Sequence, residues 1–227
     1  ENPKAYALFS HCFTCTKNLK SISKINEGLI SLGIAVMRHD FTGLGESEGD
    51  FSETNFSSNV GDIYKAVEFL KSEYEAPKIM IGHSLGGAAT LKAAGDIDSC
   101  NAVATIAAPY QINHLTDKLT KRSKSTDEEG NAIVEIGGSE FKLKKQFFED
   151  LEKHSLKESI KNLNKPLLIL HSPVDQTVHP DNAAKIFMAA KHPKSFISLD
   201  DADHLLWKEE DARYAGKIIG IWADKYI

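Results

Sequence analysis

A serine flanked by glycines joins an apolar run to an alanine-rich run in the middle of the chain, where the residues are Gly82-His83-Ser84-Leu85-Gly86-Gly87. The run Lys78–Ile81 predicts a buried strand, and a helical pattern begins at Leu85. At such a strand–turn–helix crossing the serine has a strained backbone, and close neighbours leave no room for side chains at Gly82 and Gly86. The pattern is typical of the nucleophile elbow G-x-S-x-G. It predicts that Ser84 is a nucleophile; the alternative is a glycine-rich turn with an incidental serine.

Two downstream loops supply the partners that a serine nucleophile needs. A hydroxyl is a weak nucleophile, so it depends on a general base that an acid orients, and the chain order for this elbow is Ser, Asp, His. Asp175 follows the predicted strand Pro166–Leu170, and His204 follows the predicted strand Ser195–Leu199. The competing carboxylates are Asp200, Asp201 and Asp203. Their closeness in sequence to His204 disfavours a productive approach to its ring, so we predict a triad of Ser84, Asp175 and His204.

Short apolar runs alternate with helical patterns along most of the chain. Three runs predict buried parallel strands, and these are Ala5–Phe9, Ile34–Met37 and Lys78–Ile81. The further predicted strands are Ala102–Ala107, Pro166–Leu170 and Ser195–Leu199. Helical spacing is found over residues 19–32, 60–70, about 85–95, about 182–190 and about 209–222. This alternation predicts an α/β fold with a mostly parallel sheet and helices on both faces.

One segment, about residues 113–164, interrupts the alternation. Within it, Ala132–Ile136 and Phe141–Leu143 flank a Gly-Gly turn and predict a hairpin, and a helix containing Phe147 follows. Because the segment lies between two predicted core strands, we expect a small cap over the carboxyl ends of the sheet, within a single domain of 227 residues. The alternative is a surface excursion with no part in the site.

Charge and composition disfavour several classes of partner. The net charge is −5 and no apolar stretch reaches the ~20 residues that a membrane span requires, so neither a nucleic acid nor a membrane is expected as partner. The basic run Lys118–Lys124 precedes acidic residues and predicts a solvated surface loop. Three cysteines are too few for a disulfide scaffold and favour a reducing compartment. The motifs call for no metal and no cofactor.

Together the motifs resemble the α/β-hydrolase superfamily from about Ala5 to the carboxyl end. The segments that carry this resemblance are HCFTC, DFTGLGESEGDF, GHSLGGAA, HSPVDQTV and DADHLL. More narrowly, HCFTCTKN, NFSSNV, GHSLGGAA and HPKSFISLDDADHLL look like the hydrolase half of bacterial proteins in which an α/β-hydrolase is fused to an OsmC-type thiol-peroxidase domain. The resemblance implies the α/β-hydrolase fold, an esterase-like activity, a cytoplasmic location and an OsmC-type domain as partner. It implies no peroxidase activity in this chain.

The resemblance also implies where an oxyanion would bind. One donor would be the backbone amide of Leu85, where the positive end of a helix meets the developing charge. Relatives often have His-Gly-x in the loop after the first strand, and x corresponds here to Phe13. Cys12 stands where glycine is usual, and this departure looks normal for the narrower group.

The resulting hypothesis is a serine hydrolase that cleaves an ester or related acyl bond of a small-molecule substrate through an acyl-enzyme. Two alternatives remain open. Cys12 and Cys15 form a CxxC pair, which could belong to a thiol redox enzyme rather than shape the oxyanion loop. A non-catalytic binding module on the same fold is the other alternative.

Overall fold

The computed structural model describes residues 2–227, and within them a sheet of six parallel strands forms the centre of the protein. The strands of the chain are β1 (Ala5–Ser10), β2 (Ile34–His39), β3 (Ile79–His83), β4 (Ala102–Ile106), β5 (Ser123–Thr126), β6 (Ala132–Ile136), β7 (Ser139–Leu143), β8 (Leu167–His171) and β9 (Lys194–Ser198). The order in the central sheet is β2-β1-β3-β4-β8-β9, and every neighbouring pair is parallel. The predicted parallel sheet is confirmed.

Helices cover both faces of this sheet. They are α1 (Lys20–Ile30), α2 (Phe56–Glu73), α3 (Leu85–Ala93), α4 (His114–Lys121), α5 (Lys145–Lys153), α6 (Leu156–Lys161), α7 (Asp181–Ala189) and α8 (Glu209–Ala223). Alternate strand residues point to opposite faces, so Leu8 and Met80 belong to the core under α2 and α3, whereas Ala7 and Phe9 belong to the core under α1 and α8. The α/β fold with helices on both faces is therefore confirmed.

Helices α1 and α8 approach each other closely because their contact contains glycine. A Cβ added at Gly216 of α8 would lie only 2.0 Å from the carbonyl oxygen of Ile25 in α1. A side chain at Gly216 would therefore force the two helices apart. This packing buries the apolar side of α8 against the sheet.

The insertion between β4 and β8 contains more regular structure than its sequence predicts. The predicted hairpin is present as β6 and β7, whose turn residues Gly137 and Gly138 have φ of 60° and 82°. In the described residues β5 adds a third antiparallel strand. The prediction of a loop over Lys118–Lys124 is wrong, because α4 extends to Lys121 and β5 begins at Ser123. The apolar side chain of Leu119 is buried, and this tertiary contact stabilises a helix in a strongly basic run.

Among the described residues, 2–227, no helix is both long enough and apolar enough to cross a membrane.

Candidate active site

The predicted elbow is a sharp turn between β3 and α3. Ser84 has φ 53° and ψ −124°, a conformation that L residues rarely adopt, and α3 begins at the next residue. A Cβ added at Gly82 would lie 2.5 Å from the carbonyl oxygen of Gly86, and one added at Gly86 would lie 2.1 Å from that of His11. Side chains are therefore excluded at both glycines, as predicted. The turn presents the Ser84 side chain at the carboxyl edge of the sheet.

The structure brings the three predicted triad residues into one chain of hydrogen bonds. Nε2 of His204 lies 3.0 Å from Oγ of Ser84, and Nδ1 of His204 lies 2.8 Å from Oδ2 of Asp175. An ionised carboxylate only accepts hydrogen bonds, so the ring proton of His204 sits on Nδ1 and Nε2 is free to accept the Ser84 proton. β3, β8 and β9 are parallel, so the loops after them lie at one edge of the sheet, and that topology explains the meeting of three distant residues.

Asp175 is held as a carboxylate by its surroundings. It is 3% exposed, and its Oδ1 accepts backbone hydrogen bonds from Thr177 at 2.7 Å and Val178 at 2.9 Å. Burial by itself raises the pKa of Asp175, but the hydrogen bonds from His171 and His204 outweigh it and hold that pKa well below its usual range. The side chain is therefore ionised at neutral pH.

His171, at the end of β8, is a second histidine beside Asp175. Its Nε2 lies 2.8 Å from the carbonyl oxygen of Val178 and 3.4 Å from Oδ2 of Asp175. A carbonyl only accepts, so Nε2 carries the proton; the buried Nδ1 has no hydrogen-bond partner among the described residues. Sequence reasoning missed this contact. The one available signal was the spacing of four residues between His171 and Asp175. That spacing alone does not distinguish His171 from the other histidines.

His83 is a third histidine that supports the site. Its Nε2 lies 2.7 Å from the backbone carbonyl of His204, and the two rings are 5.3 Å apart. Burial lowers the pKa of His83 to about 3, so the ring is neutral and donates its Nε2 proton to that carbonyl. The contact ties the elbow to the loop that carries His204. It was also missed, because adjacency to Ser84 alone does not indicate which way the ring points.

The two predicted oxyanion donors line one narrow cavity. Phe13 and Leu85 border it together with Phe41, Phe51 and other residues, and its volume of about 10 Å³ has room for about one water-sized group. Among residues 2–227, neither the Phe13 nor the Leu85 backbone N–H donates a hydrogen bond to the protein. Both amides are therefore free to donate to a bound acceptor.

The insertion lies against both loops of the site. The ring of Phe147 on α5 is 5.4 Å from that of Phe13, and the ring of Phe141 on β7 is 5.3 Å from that of Phe51. On the other side, Nζ of Lys118 on α4 donates to the backbone carbonyl of Thr177 at 2.7 Å. The insertion thus contacts the Phe13 loop and the Asp175 loop.

Cys12 and Cys15 are joined by a disulfide in the Phe13 loop. The sequence left open whether these cysteines pair. Cys100 is the free cysteine of the described residues, and burial raises the pKa of its thiol to about 11. In the same described residues, no group of three or more His, Cys, Asp or Glu side chains is placed to hold a metal ion.

Comparison with known proteins identifies the family of the chain. Residues 2–128 match the hydrolase family described as Serine aminopeptidase, S33. The esterase domain of a Rhodothermus marinus protein is 46% identical, with a TM-score of 0.79 over 99% of this chain and 88% of that domain. The chain belongs to the α/β-hydrolase superfamily.

More distant relatives of this α/β-hydrolase are longer proteins. The mitochondrial palmitoyl-protein thioesterase ABHD10 of Homo sapiens is 28% identical over 200 residues, which is 85% of this chain and 62% of the thioesterase. The uncharacterized protein YfhR of Salmonella typhi is 26% identical over 191 residues, which is 83% of this chain and 59% of YfhR. The chain therefore spans about three fifths of the length of these relatives.

Proposed function

We propose that the protein is a serine esterase that cleaves small acyl esters through a triad of Ser84, His204 and Asp175. The observation that carries this proposal is the continuous hydrogen-bond chain, 3.0 Å from His204 to Ser84 and 2.8 Å from His204 to Asp175. The first distance allows His204 to take a proton from the Ser84 nucleophile, and the second allows Asp175 to orient the His204 ring. Membership of a hydrolase family and the 46% identity to an esterase domain support the same activity.

The first half of the reaction transfers the acyl group to the protein. Oγ of Ser84 attacks the ester carbonyl carbon while its proton moves to Nε2 of His204. The carbonyl oxygen becomes an oxyanion that accepts hydrogen bonds from the amides of Phe13 and Leu85. Asp175 stabilises the positive imidazolium. The carbon–oxygen bond to the alcohol then breaks, and the alcohol leaves with the proton from His204.

The second half repeats these steps with water. His204 takes a proton from water, the resulting hydroxide attacks the acyl-enzyme carbonyl, and Oγ of Ser84 leaves as it regains the proton from Nε2. The products are an acid and the free protein. The narrow cavity beside Phe13 and Leu85 supports a preference for short acyl groups, because a long chain would first require Phe51 or the insertion to move.

Several further proposals concern the rest of the chain. We infer that it forms one hydrolase domain, in which residues of about 113–164 act as a cap; the contacts of Phe147 and Lys118 with the site loops support this. The sequence resemblance supports an OsmC-type thiol-peroxidase domain as partner and a cytoplasmic location. Co-purification of the chain with such a domain would test the partner, and fractionation of the cells would test the location.

Hydrolysis of a p-nitrophenyl ester series, from acetate to long acyl chains, tests the function. The wild type should hydrolyse the short esters fastest, and Ser84→Ala should lose about 10⁶-fold in kcat because removal of a triad serine abolishes the chemical step. Ser72→Ala, at an exposed serine of α2, is the matched control and should retain full activity. A Ser84→Ala protein that keeps most of the activity would contradict the proposal.

A further inference from the structure

The disulfide encloses the residue that the proposed mechanism uses as an oxyanion donor. Cys12 and Cys15 are the first and last residues of a four-residue turn, in which the amide of Cys15 donates to the carbonyl of Cys12 at 3.1 Å. Phe13 lies between them, and its side chain and that of Cys12 line the same cavity. A change in the bridge therefore acts within one residue of the donor amide.

The turn itself has a conformation that its sequence disfavours. Thr14 occupies the third position with φ 59°. Turns with a positive φ at this position favour glycine, and a β-branched residue there is an outlier. The hydroxyl of Thr14 donates to the carbonyl of Phe13 at 2.7 Å, but this bond lies within the turn and does not tie it to the sheet. The bridge is thus the covalent restraint that holds Thr14 at a positive φ, which a threonine otherwise avoids.

Contacts outside the bridge fix the two ends of the loop. On one side, Nδ1 of His11 lies 2.8 Å from the carbonyl oxygen of Cys12, and Nε2 of His11 accepts from the amide of Phe41 at 3.2 Å. On the other side, the backbone amide of Lys17 donates to Asp40 at 2.6 Å, and its Nζ donates to the same carboxylate at 2.8 Å. Opening the bridge therefore loosens the backbone at Phe13 and Thr14 without unfolding the loop around them.

We propose that Cys12 and Cys15 are positioning residues, whose disulfide holds the Phe13 amide as an oxyanion donor and whose reduction by a dithiol lowers esterase turnover. This inference rests on the proposed function. It makes the pair a redox-sensitive modification site, so the esterase activity follows the balance of dithiols and disulfides in its surroundings.

The reduction has a defined order and balance. Cys15 is partly exposed, whereas Cys12 is 3% exposed, so an external thiolate meets the sulfur of Cys15 first. Attack there forms a mixed disulfide and releases the sulfur of Cys12, which takes a proton. The second thiol of the reductant then attacks the mixed disulfide and releases Cys15. Two electrons and two protons pass to the protein, and the reductant leaves as a cyclic disulfide.

The test compares kcat for p-nitrophenyl acetate before and after treatment of the full chain with dithiothreitol. Mass spectrometry after thiol labelling reports whether the bridge is closed or open. Loss of one oxyanion donor costs about 10²–10³-fold in kcat, so a loosened donor should lower kcat at least about tenfold with little change in KM. Reoxidation should restore the original kcat. Far-UV circular dichroism should not change on reduction, because the ends of the loop stay fixed.

Two variants separate this role from a general effect of the reductant. The double variant Cys12→Ala/Cys15→Ala should have the lowered kcat from the start and should not respond to dithiothreitol. Cys100→Ala is the matched control and should respond as the wild type does. An active wild type whose kcat is equal with the bridge open and closed would overturn this inference alone. A folded wild type that hydrolyses no ester in either state would overturn the proposed function and this inference with it.

Discussion

The carboxyl edge of the central sheet and the insertion between β4 and β8 hold their side chains by different means. Ser84 follows a fully buried strand, and its turn is fixed by glycines that a Cβ would not fit. The insertion buries apolar side chains of β6 and α5, and polar contacts join it to residues before and within α2, such as Ser57 to Asp150 at 2.7 Å and Gln146 to the carbonyl of Thr54 at 2.9 Å.

This difference suggests a division of roles. Side chains fixed by the sheet have the positional accuracy that bond-making chemistry requires. Phe13 and Phe51, beneath the insertion, are only partly buried, so they can move to admit a substrate more easily than the residues of the sheet edge. Changes at the sheet edge should therefore alter kcat strongly, and changes under the insertion should alter the choice of acyl group.

The largest effect after removal of Ser84 is expected at the acid. Asp175→Asn should keep the packing but lower kcat about 10⁴-fold, because an amide that donates to Nδ1 of His204 selects the wrong ring tautomer. Steady-state kinetics on p-nitrophenyl acetate measure this. Asp203→Asn, at an exposed residue one position before His204, is the control. If Asp203→Asn lost more activity than Asp175→Asn, the acid would be wrongly assigned.

His171 should have the next largest effect, through Asp175. Hydrogen bonds to charged groups contribute about 1.5–3 kcal/mol, and the 3.4 Å contact between Nε2 of His171 and Asp175 lies at the weak end of that range. His171→Leu should therefore lower kcat about 10–20-fold with little change in KM. With one donor fewer, the carboxylate attracts the ring proton of His204 more strongly. The acid limb of the kcat/KM profile should therefore move to higher pH.

His171→Gln separates this electrostatic role from packing. Its amide N–H can replace Nε2 as a donor, so it should restore most of kcat and the wild-type pH profile. Equal losses in both variants with an unmoved profile would mean that His171 acts by filling space.

The buried histidine His83 at the sheet edge should also make the free energy of unfolding depend on pH. The pKa of His83 is about 3 in the folded protein, whereas an ordinary solvated histidine, as in the unfolded chain, has a pKa of 6.5. Between these values the unfolded chain binds a proton that the folded protein does not, so the free energy of unfolding falls as pH falls, by about 1.4 kcal/mol per pH unit. From pH 7 to pH 5, urea unfolding of the wild type should lose about 2 kcal/mol more than that of His83→Gln. Parallel losses in the two proteins would refute this assignment.

The smallest effect is expected beneath the insertion. Phe51 borders the cavity and contacts Phe141, so Phe51→Ala should enlarge the acyl space without touching the triad. Two extra methylenes buried at about 0.8 kcal/mol each should raise the kcat/KM ratio of butyrate to acetate about tenfold. Phe69→Ala, at a half-exposed ring of α2, is the control and should leave the ratio unchanged. An unchanged ratio in Phe51→Ala would show that acyl chains bind elsewhere.

The same contrast explains what could be predicted from the sequence. Ser84, Asp175 and His204 follow strands of a parallel sheet, and the carboxyl ends of such strands meet at one edge. Apolar runs marked β3 and β8, and the shorter pair Phe196-Ile197 marked β9, so the positions of the three residues followed from chain order. The structure places them within hydrogen-bonding distance.

The remainder depended on contacts between distant segments. β5 reads Ser123-Lys124-Ser125-Thr126, a polar run that becomes a strand only because β6 lies beside it. The ring of His171 lies beside Asp175 because the loop after β8 folds back towards the strand. The spacing of the two residues in the sequence does not predict that loop conformation. A CxxC pattern fits free thiols, a metal site or a bridge, so the disulfide between Cys12 and Cys15 also required the structure.

Covalent trapping tests the central claim, that Ser84 is the nucleophile, most directly. The protein is mixed with p-nitrophenyl acetate, quenched in acid within the first turnover, digested and examined by tandem mass spectrometry. The account predicts an acetyl group on Ser84 in the wild type, which decays as acetate appears, and none on the corresponding peptide of Ser84→Ala. Turnover with Ser84 unmodified at every time point, or with the acetyl group on another residue that Ser84→Ala retains, would contradict it.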